Sequence, residues 1–278
     1  MIIWLASYPK SGNTWVRAFI SSLLYSENGI NDFTKLSKIP QFPDRRQFKT
    51  LIDNFQDYKI VSANWKNAQN LLTLDNEIKF LKTHHALVKI NNFEFTDNTN
   101  SLGVIHIVRD PRTVLLSLKN HFGVTDSIEA KNFLFNEHLW LGINKKEEFK
   151  DRSNKIPTLI GSWRINYLSW KNKIQNYLLV KYEDLLEDPY KEFFRISNYL
   201  ENLMKCKFDK DKINNAIKST SFEKLQNLEE KGYFNEHGQG VKFFNSGPNS
   251  NWKLELDEKI VQELNIRFKN EMLELGYL

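Results

Sequence analysis

The N-terminal segment 2–24 constrains the fold of this chain most strongly. It opens with an apolar run at 2–6 that is typical of a buried strand. A polar loop follows at 8–14, and from Trp15 onward apolar residues recur at helical spacing, which predicts a helix that starts near Asn13. In a strand–loop–helix unit, backbone N–H groups of the loop and the helix N-terminus converge on one point and bind an anion there. The segment therefore predicts a cradle for a phosphate group.

Two loop residues give this cradle its chemistry. Gly12 lets the backbone approach a ligand closely, and Lys10 supplies a mobile positive charge. The spacing is not the Walker pattern G-x-x-x-x-G-K-[ST], because the lysine precedes the glycine and no glycine opens the loop. An ordinary turn with a surface lysine is the alternative interpretation. The residues predicted to contact the phosphate are Ser11, Gly12, Asn13 and Thr14.

The composition sets broad limits on the class of protein. A chain of 278 residues, 41% of them hydrophobic and without a Pro- or Ser-rich linker, is expected to form one α/β domain over 1–278. The formal charge of +5 suits an anionic ligand, but the lysines are scattered, so no nucleic-acid surface is expected. The single Cys206 cannot form an internal disulfide, which fits a reducing compartment. Because no apolar run resembles a signal peptide or a membrane span, we expect a cytoplasmic protein without membrane contact.

A second informative stretch, 78–85, combines alternating apolar residues with a polar end. The pattern predicts a strand, and in doubly wound α/β sheets ligands bind beyond the carboxyl ends of the strands. A histidine at that point can take a proton from an attacking hydroxyl, because imidazole titrates near neutral pH. The stretch offers two candidates, His84 and His85, with Lys82 beside them. A histidine with a purely structural role is the alternative.

The third stretch, 102–122, predicts a buried strand followed by a helix. Asp110 and Pro111 form a favourable helix start, with proline at the first helical position. Arg109 lies at the strand end, where a guanidinium binds a phosphate with two hydrogen bonds, and Ser117 offers a hydroxyl to the same phosphate. Two alternatives remain open here. Asp110 is also placed like a carboxylate that orders Mg²⁺ in an NTPase, and Arg109 is able to pair with a protein carboxylate.

The rest of the chain predicts further secondary structure. The expected elements are helices over 44–54 and 63–72, a small strand near 59–61, one helix containing 133–141, one containing 159–170, a strand over 177–182, a helix from 188, a capping box at 220–223 and a C-terminal helix over 257–275.

The loop sequence Tyr-Pro-Lys-Ser-Gly-Asn-Thr-Trp closely resembles the 5′-phosphosulfate loop of the cytosolic-type sulfotransferases. That family moves a sulfonate group from 3′-phosphoadenosine 5′-phosphosulfate (PAPS) to an acceptor hydroxyl or amine. The resemblance implies a central parallel sheet flanked by helices, with a P-loop-like nucleotide-binding core. The sequence Lys-Thr-His at 82–84 resembles the family segment that carries the catalytic base, which makes His84 the implied base and Lys82 an aid to the transferring sulfonate.

Three further segments resemble the nucleotide-binding elements of the family. The order strand, Arg109, helix, Ser117 resembles the segment that binds the 3′-phosphate. The sequence Lys-Tyr-Glu-Asp-Leu implies a nucleotide contact from Tyr182. The sequence Thr-Ser-Phe at 220–222 resembles a family element whose phenylalanine packs against adenine. This resemblance implies that Phe222 contacts the base and that Ser221 is one of the donor-binding residues. Trp15 and Phe222 would then lie on the two faces of the base.

The segment 245–253 resembles the family sequence Arg-Lys-Gly-x-x-Gly-Asp-Trp-Lys, with departures that include Ser250 in place of the second glycine. Gly247, Trp252 and Lys253 match, whereas Asn245 and Ser246 replace the Arg-Lys pair that normally helps to hold the 3′-phosphate. The resemblance still places Asn245, Ser246 and Gly247 at the donor site. We hypothesise that Lys242 substitutes for the missing cations.

The function implied by the resemblance is direct in-line transfer of a sulfonate from PAPS, with 3′-phosphoadenosine 5′-phosphate (PAP) as product and no metal. The acceptor is expected to be a small molecule; an alcohol, a phenol, an amine and a sugar are all open. A homodimer is open as well. Two other classes of function compete: a P-loop kinase or NTPase that uses Mg-ATP, and a non-catalytic nucleotide-binding protein for which His84 is dispensable.

Overall fold

The computed structural model describes residues 1–122, 126–142, 156–234, 242–244 and 251–278. Four strands form the central sheet, in the order β2-β1-β5-β8. Their bounds are β1 Ile2–Ser7, β2 Lys79–Thr83, β5 Ser101–Val108 and β8 Tyr177–Lys181. Two small antiparallel pairs add β3 Lys89–Ile90 with β4 Phe93–Glu94, and β6 Trp140–Leu141 with β7 Thr158–Leu159. The parallel register of the first two strands sets Ile3 opposite Phe80 and Ala6 opposite Thr83.

Helices flank the sheet along the described part of the chain. They are α1 Asn13–Tyr25, a 3₁₀ turn Leu36–Lys38, α2 Arg45–Phe48, α3 Tyr58–Ala63, α4 Trp65–Leu72, α5 Pro111–Phe122, α6 Ser127–Phe135, α7 Trp163–Trp170, α8 Tyr182–Glu187, α9 Pro189–Met204, α10 Lys210–Ser219, α11 Phe222–Glu230, α12 Trp252–Glu255, α13 Glu258–Arg267 and α14 Lys269–Leu275. The predicted fold class, an α/β fold with a central parallel sheet, is confirmed. The domain boundaries of 1–278 stay a prediction.

The chain divides into two compact units built from discontinuous segments. The first unit comprises 1–8, 39–106 and 137–179. Its core surrounds Trp4 of β1, which is fully buried and whose indole N–H donates to the Ser101 hydroxyl at 2.8 Å. The Trp4 ring lies 5.5 Å from Phe95 and 6.0 Å from Trp170. Every residue of β1 is buried. A strand covered on both faces favours consecutive apolar residues, which explains the apolar run at 2–6.

The second unit comprises 9–38, 107–136 and 180–278. Its core lies along α1, where Phe19 stacks on Phe193 of α9 with ring centroids 4.2 Å apart. Helix α9 begins where the sequence predicts, because Asp188 accepts the N–H of Lys191 and proline occupies the first turn. Among the described residues, no helix is long and apolar enough to cross a membrane.

Four predicted elements between residues 44 and 170 differ from the structure. The predicted strand near 59–61 is helix α3, because the Asp57 carboxylate caps the Lys59 N–H at 2.9 Å and so favours a helix over the β propensity of Ile60 and Val61. The helix expected over 133–141 ends at Phe135, since 140–141 pair with 158–159. For the same reason the helix expected over 159–170 begins only at Trp163. The helix expected over 44–54 ends at Phe48.

Three predicted elements of the second unit are shifted. Ser221, not Thr220, caps α11, because the Thr220 hydroxyl donates back to the Ala216 carbonyl at 2.6 Å and so closes α10. The C-terminal helix is interrupted at the buried Phe268. Tyr182, expected at the end of a strand, is the first residue of α8.

Candidate active site

The loop after β1 forms a tight turn that only glycine tolerates at residue 12. Gly12 precedes α1, which starts at Asn13 as predicted, and has φ +95°. A Cβ atom there would lie 2.4 Å from Cδ2 of Tyr182, well inside the contact distance of two carbon atoms. Lys10 also takes a positive φ of 67°. The N-terminus of α1, which follows this turn, is the end of a helix that favours an anion.

Buried polar atoms in this loop indicate a ligand. The Ser11 hydroxyl is fully buried and has no hydrogen-bond partner among the described residues, and the same holds for the indole N–H of Trp15. A buried polar group without a partner costs about 1–3 kcal/mol, so native structures rarely keep one without a reason. A phosphate oxygen would accept from the Ser11 hydroxyl. The loop therefore fits the phosphate that the sequence predicts.

The Lys10 side chain lies against an aromatic ring. Its Nζ is 3.9 Å from the ring centroid of Phe243, a cation–π distance. The backbone N–H groups of Phe243 and Phe244 both donate to the Glu229 carboxylate of α11, the latter at 2.9 Å. Residues 243 and 244 are thus anchored to α11, and the Phe243 ring contacts the ammonium group of Lys10.

Arg109 packs directly onto the phosphate loop. It follows β5, is 6% exposed, and its Nη1 donates to the Lys10 carbonyl at 3.1 Å. Its guanidinium lies 4.0 Å from the ring centroid of Tyr182. That ring also meets Trp15 edge-on at 5.9 Å. Burial raises the pKa of the Tyr182 hydroxyl. The structure thus brings together four predicted site residues: Gly12, Trp15, Arg109 and Tyr182.

Asp110 is engaged as a helix cap and an ion pair. Its carboxylate accepts the backbone N–H of Arg112 at 2.9 Å and pairs with the Arg112 guanidinium at 2.6 Å, both side chains being less than 10% exposed. The predicted role as the N-terminal cap of α5 is confirmed. The competing role, a carboxylate that orders Mg²⁺ in an NTPase, is not favoured, because a buried guanidinium already neutralises its charge.

His84 is held by one backbone oxygen. Its Nδ1 lies 2.9 Å from the Ser7 carbonyl oxygen and 3.2 Å from the Ser7 hydroxyl. A carbonyl only accepts, so Nδ1 carries the proton and the neutral ring has its lone pair on Nε2. The backbone carbonyl of His84 accepts from the Asn166 amide at 3.0 Å. In this tautomer Nε2 is the basic nitrogen of the half-buried ring.

His85 belongs to the core of the first unit. It is fully buried, stacks on Phe95 at 4.4 Å, and its Nδ1 lies 2.6 Å from the Ala86 carbonyl. Burial lowers its pKa to about 4. The two neighbouring histidines are thus distinguished by packing, and the one with access to solvent is His84.

Three further predicted site residues each lie in their own surroundings. Lys82 lies on β2, where its backbone N–H donates to the Pro40 carbonyl at 2.9 Å and its carbonyl accepts from Phe42 at 2.8 Å. Ser117 is half-buried on α5. Phe222 is half-buried at the start of α11 and meets Phe244 edge-on at 6.2 Å. Their roles toward a ligand stay predictions.

The segment predicted to contact the 3′-phosphate near the C-terminus lies partly outside the described residues. Asn245, Ser246 and Gly247 lie outside the described residues. Lys242, the proposed substitute for the missing cations, forms an exposed ion pair with Glu230 at 2.7 Å. Within the described parts of the chain, no group of three His, Cys, Asp or Glu side chains is arranged to hold a metal ion.

One contributor to the site has no signal in the sequence. The Ser7 carbonyl sets the tautomer of His84, and any residue at position 7 would present the same carbonyl. Only the parallel pairing of β1 with β2 reveals the contact.

A glycine-containing loop between the first strand of a parallel sheet and a helix, with an arginine packed on it, is the arrangement of a P-loop-like nucleotide-binding core. Comparison with known proteins makes the class specific. The family model for the sulfotransferase domain matches residues 2–276, so the chain belongs to the sulfotransferase family.

Curated relatives agree with this assignment at low identity. The amine sulfotransferase of Oryctolagus cuniculus is 22% identical, over 97% of this chain and 80% of the relative. Cytosolic sulfotransferase 13 of Arabidopsis thaliana is 24% identical, over 98% and 76%. The predicted enzyme class, a PAPS-dependent sulfotransferase, is confirmed.

Solved structures share the fold. Mouse sulfotransferase SULT7A1 complexed with PAP aligns with a TM-score of 0.58 at 18% identity, over 97% of this chain and 83% of that one. Retinol dehydratase in complex with androsterone and PAP aligns with the same TM-score at 16% identity, over 98% and 80%.

Proposed function

We propose that this protein transfers a sulfonate group from PAPS to a hydroxyl or amine of a small molecule, with His84 as the general base. The observation that supports this role is the 2.9 Å contact between His84 Nδ1 and the Ser7 carbonyl. Because that contact keeps the proton on Nδ1, Nε2 takes the acceptor's proton while the acceptor oxygen or nitrogen attacks sulfur. The ring changes from neutral to cationic in this step, and the Ser7 carbonyl stabilises the cation.

The phosphate loop is proposed to bind the 5′-phosphosulfate. When bound, PAPS supplies the sulfonate and a phosphate leaving group. The backbone N–H groups of residues 11–14 and the Ser11 hydroxyl hold that phosphate. Lys10 balances the negative charge that grows on the bridging oxygen, and Lys82 is proposed to meet the sulfonate oxygens. The partnerless Ser11 hydroxyl supports this assignment.

The second phosphate of the nucleotide is assigned to Arg109 and Ser117. Arg109 is already oriented by the Tyr182 ring and the Lys10 carbonyl, so less side-chain freedom is lost on binding. The adenine contacts are proposed for Trp15 and Phe222. Further contacts to the donor nucleotide are proposed for Tyr182, Ser221, Asn245, Ser246 and Gly247. We also propose a cytoplasmic location, which the cytosolic relatives support.

His84→Ala tests the proposed base. We expect turnover to fall by about 10²–10⁴-fold while the affinity for PAP stays the same, because the side chain removes a proton but does not hold the nucleotide. His138→Ala, at an exposed histidine, is the matched control and should retain full activity. Ser7→Ala keeps the carbonyl and is expected to have only a small effect. An unchanged rate for His84→Ala would remove this histidine from the mechanism.

Thermal unfolding with three ligands tests the donor. A ligand at 100 times its Kd stabilises the folded state by about 2.7 kcal/mol, which is measurable as an upward shift of Tm. We expect a shift with PAP, a smaller one with AMP, and none specific to Mg-ATP. A shift with Mg-ATP alone would contradict the sulfotransferase assignment and favour a kinase. Because the acceptor is proposed only as a small molecule, turnover is best screened with simple alcohols, phenols and amines.

A further inference from the structure

The C-terminal tyrosine closes a ring of hydrogen bonds within the second unit. The Tyr277 hydroxyl donates to Glu183 Oε2 at 2.8 Å, and Glu183 Oε1 accepts the backbone N–H of Asp110 at 3.0 Å. The Asp110 carboxylate pairs with Arg112 at 2.6 Å, and Arg112 Nη2 donates to the Tyr277 carbonyl at 2.6 Å. We call these four residues, Asp110, Arg112, Glu183 and Tyr277, the C-terminal ring.

Two members of the C-terminal ring are chain neighbours of residues proposed to bind the nucleotide. Asp110 follows Arg109, so the N–H that Glu183 accepts belongs to the peptide group that joins Arg109 to Asp110. Glu183 in turn follows Tyr182, whose ring carries the Arg109 guanidinium at 4.0 Å. One carboxylate therefore ties the backbone of the arginine to the backbone of the tyrosine on which the arginine packs.

Burial makes this carboxylate dependent on its donors. Glu183 is half-buried, and this burial raises the pKa of its carboxyl because it leaves the charge less solvated. The donors that the structure gives it are the Asp110 N–H and the Tyr277 hydroxyl. Without the hydroxyl, Glu183 would have to turn toward water or take up a proton, and either change weakens its hold on the Asp110 N–H.

We propose that the C-terminal ring is a positioning device for the 3′-phosphate site, with Tyr277 and Glu183 as positioning residues that orient Arg109. The inference rests on the proposed function, since it assigns Arg109 to the second phosphate of the nucleotide. It extends the site to the last residues of the chain. A purely structural role, in which the ring only fastens the C-terminus, is the alternative that the experiment must exclude.

The test is nucleotide selectivity in Tyr277→Phe, measured by calorimetry with PAP and AMP. The two ligands differ by the 3′-phosphate, so misplacing Arg109 affects PAP alone. We expect the Kd for PAP to rise about tenfold and that for AMP by less than about twofold, the size expected when a hydrogen bond to a charged group is lost. Tyr190→Phe, at a 43% exposed tyrosine of α9, is the matched control and should bind both ligands as the wild type does.

Two variants of Glu183 give an independent measurement if Tyr277→Phe does not fold. Glu183→Gln keeps an acceptor for the Asp110 N–H and a polar partner for Tyr277, so its selectivity should stay within about threefold of the wild type. Glu183→Leu removes both contacts and should lose selectivity at least as far as Tyr277→Phe. Equal selectivity in the two Glu183 variants would overturn the inference.

The outcomes separate this inference from the proposed function. Loss of selectivity in Tyr277→Phe, with PAP binding weakened and AMP binding kept, supports a positioning role. Equal weakening of both ligands, or no change in either, overturns that role while the donor assignment stands. If the wild-type protein does not bind PAP, the proposed function fails, and the inference fails with it.

Discussion

Replacing Gly12 by alanine tests whether the phosphate loop is shaped by the protein itself. Two effects add at this position. A residue with a Cβ pays about 1–2 kcal/mol for the left-handed conformation that φ +95° requires. The new Cβ would also lie 2.4 Å from Tyr182 Cδ2, about 1 Å closer than van der Waals contact. Since the Tyr182 ring is packed between Trp15 and Arg109, moving it adds about 1–3 kcal/mol. We expect a total loss of about 2–5 kcal/mol in the free energy of unfolding.

Gly232→Ala isolates the conformational part of this loss. Gly232 has φ +78°, and no atom of the described residues lies within 4 Å of the Cβ that alanine would add, so we expect a loss of only about 1–2 kcal/mol. Guanidinium unfolding of both variants measures the difference, which is the steric contribution of the tyrosine ring. In a Tyr182→Ala background this contribution should vanish, so Gly12→Ala should then cost no more than Gly232→Ala. Equal losses for the two glycine variants in the wild-type background would refute the proposed contact between Gly12 and Tyr182.

Three further predictions follow from the same structure. Burial lowers the pKa of His85 to about 4 and that of His106 to about 3, so between these values and 6.5 only the unfolded state binds their protons. Stability should therefore fall as the pH falls below about 6.5, by about 2 kcal/mol per histidine at pH 5; urea unfolding across this range measures it, and a flat profile would contradict the burial of both rings. Ser11→Ala should leave the ligand-free protein as stable as the wild type or up to about 1 kcal/mol more stable, yet weaken PAP binding; a clear loss of stability would mean that the hydroxyl has a protein partner. Arg109→Ala should weaken PAP binding more than AMP binding in calorimetry, and equal losses would refute its assignment to the 3′-phosphate.

The sequence predicted best those features that depend on neighbouring residues. The start of α1 at Asn13 and the capping of α5 by Asp110 both follow from local spacing and capping chemistry. The strand expected near 59–61 was wrong for the same kind of local reason, since the Asp57 cap outweighs the β propensity of the residues that follow it. Local signals therefore account for these three elements once the cap is weighed together with the run it precedes. They do not account for 140–141, which are a strand because they pair with the distant 158–159.

Contacts between distant residues could not be predicted in this way. His84 is oriented by a backbone oxygen 77 residues earlier in the chain, and a carbonyl leaves no trace in the choice of amino acid. The Tyr277 hydroxyl reaches a carboxylate 94 residues away. Neither contact belongs to a motif, so both required the three-dimensional structure.

The reason for Gly12 shows how a correct prediction can rest on an incomplete cause. From the sequence, this glycine is required because a ligand's phosphate approaches the backbone. In the structure, the space that a side chain would need is already occupied by the Tyr182 ring, before any ligand binds. That ring in turn supports Arg109, which donates to the Lys10 carbonyl of the same loop. Because residue 12 has no side chain, the loop and Arg109, the two proposed phosphate-binding elements, can both pack against the Tyr182 ring. The loop and the arginine should therefore respond together to changes at Tyr182, even though more than 90 residues separate them in the sequence.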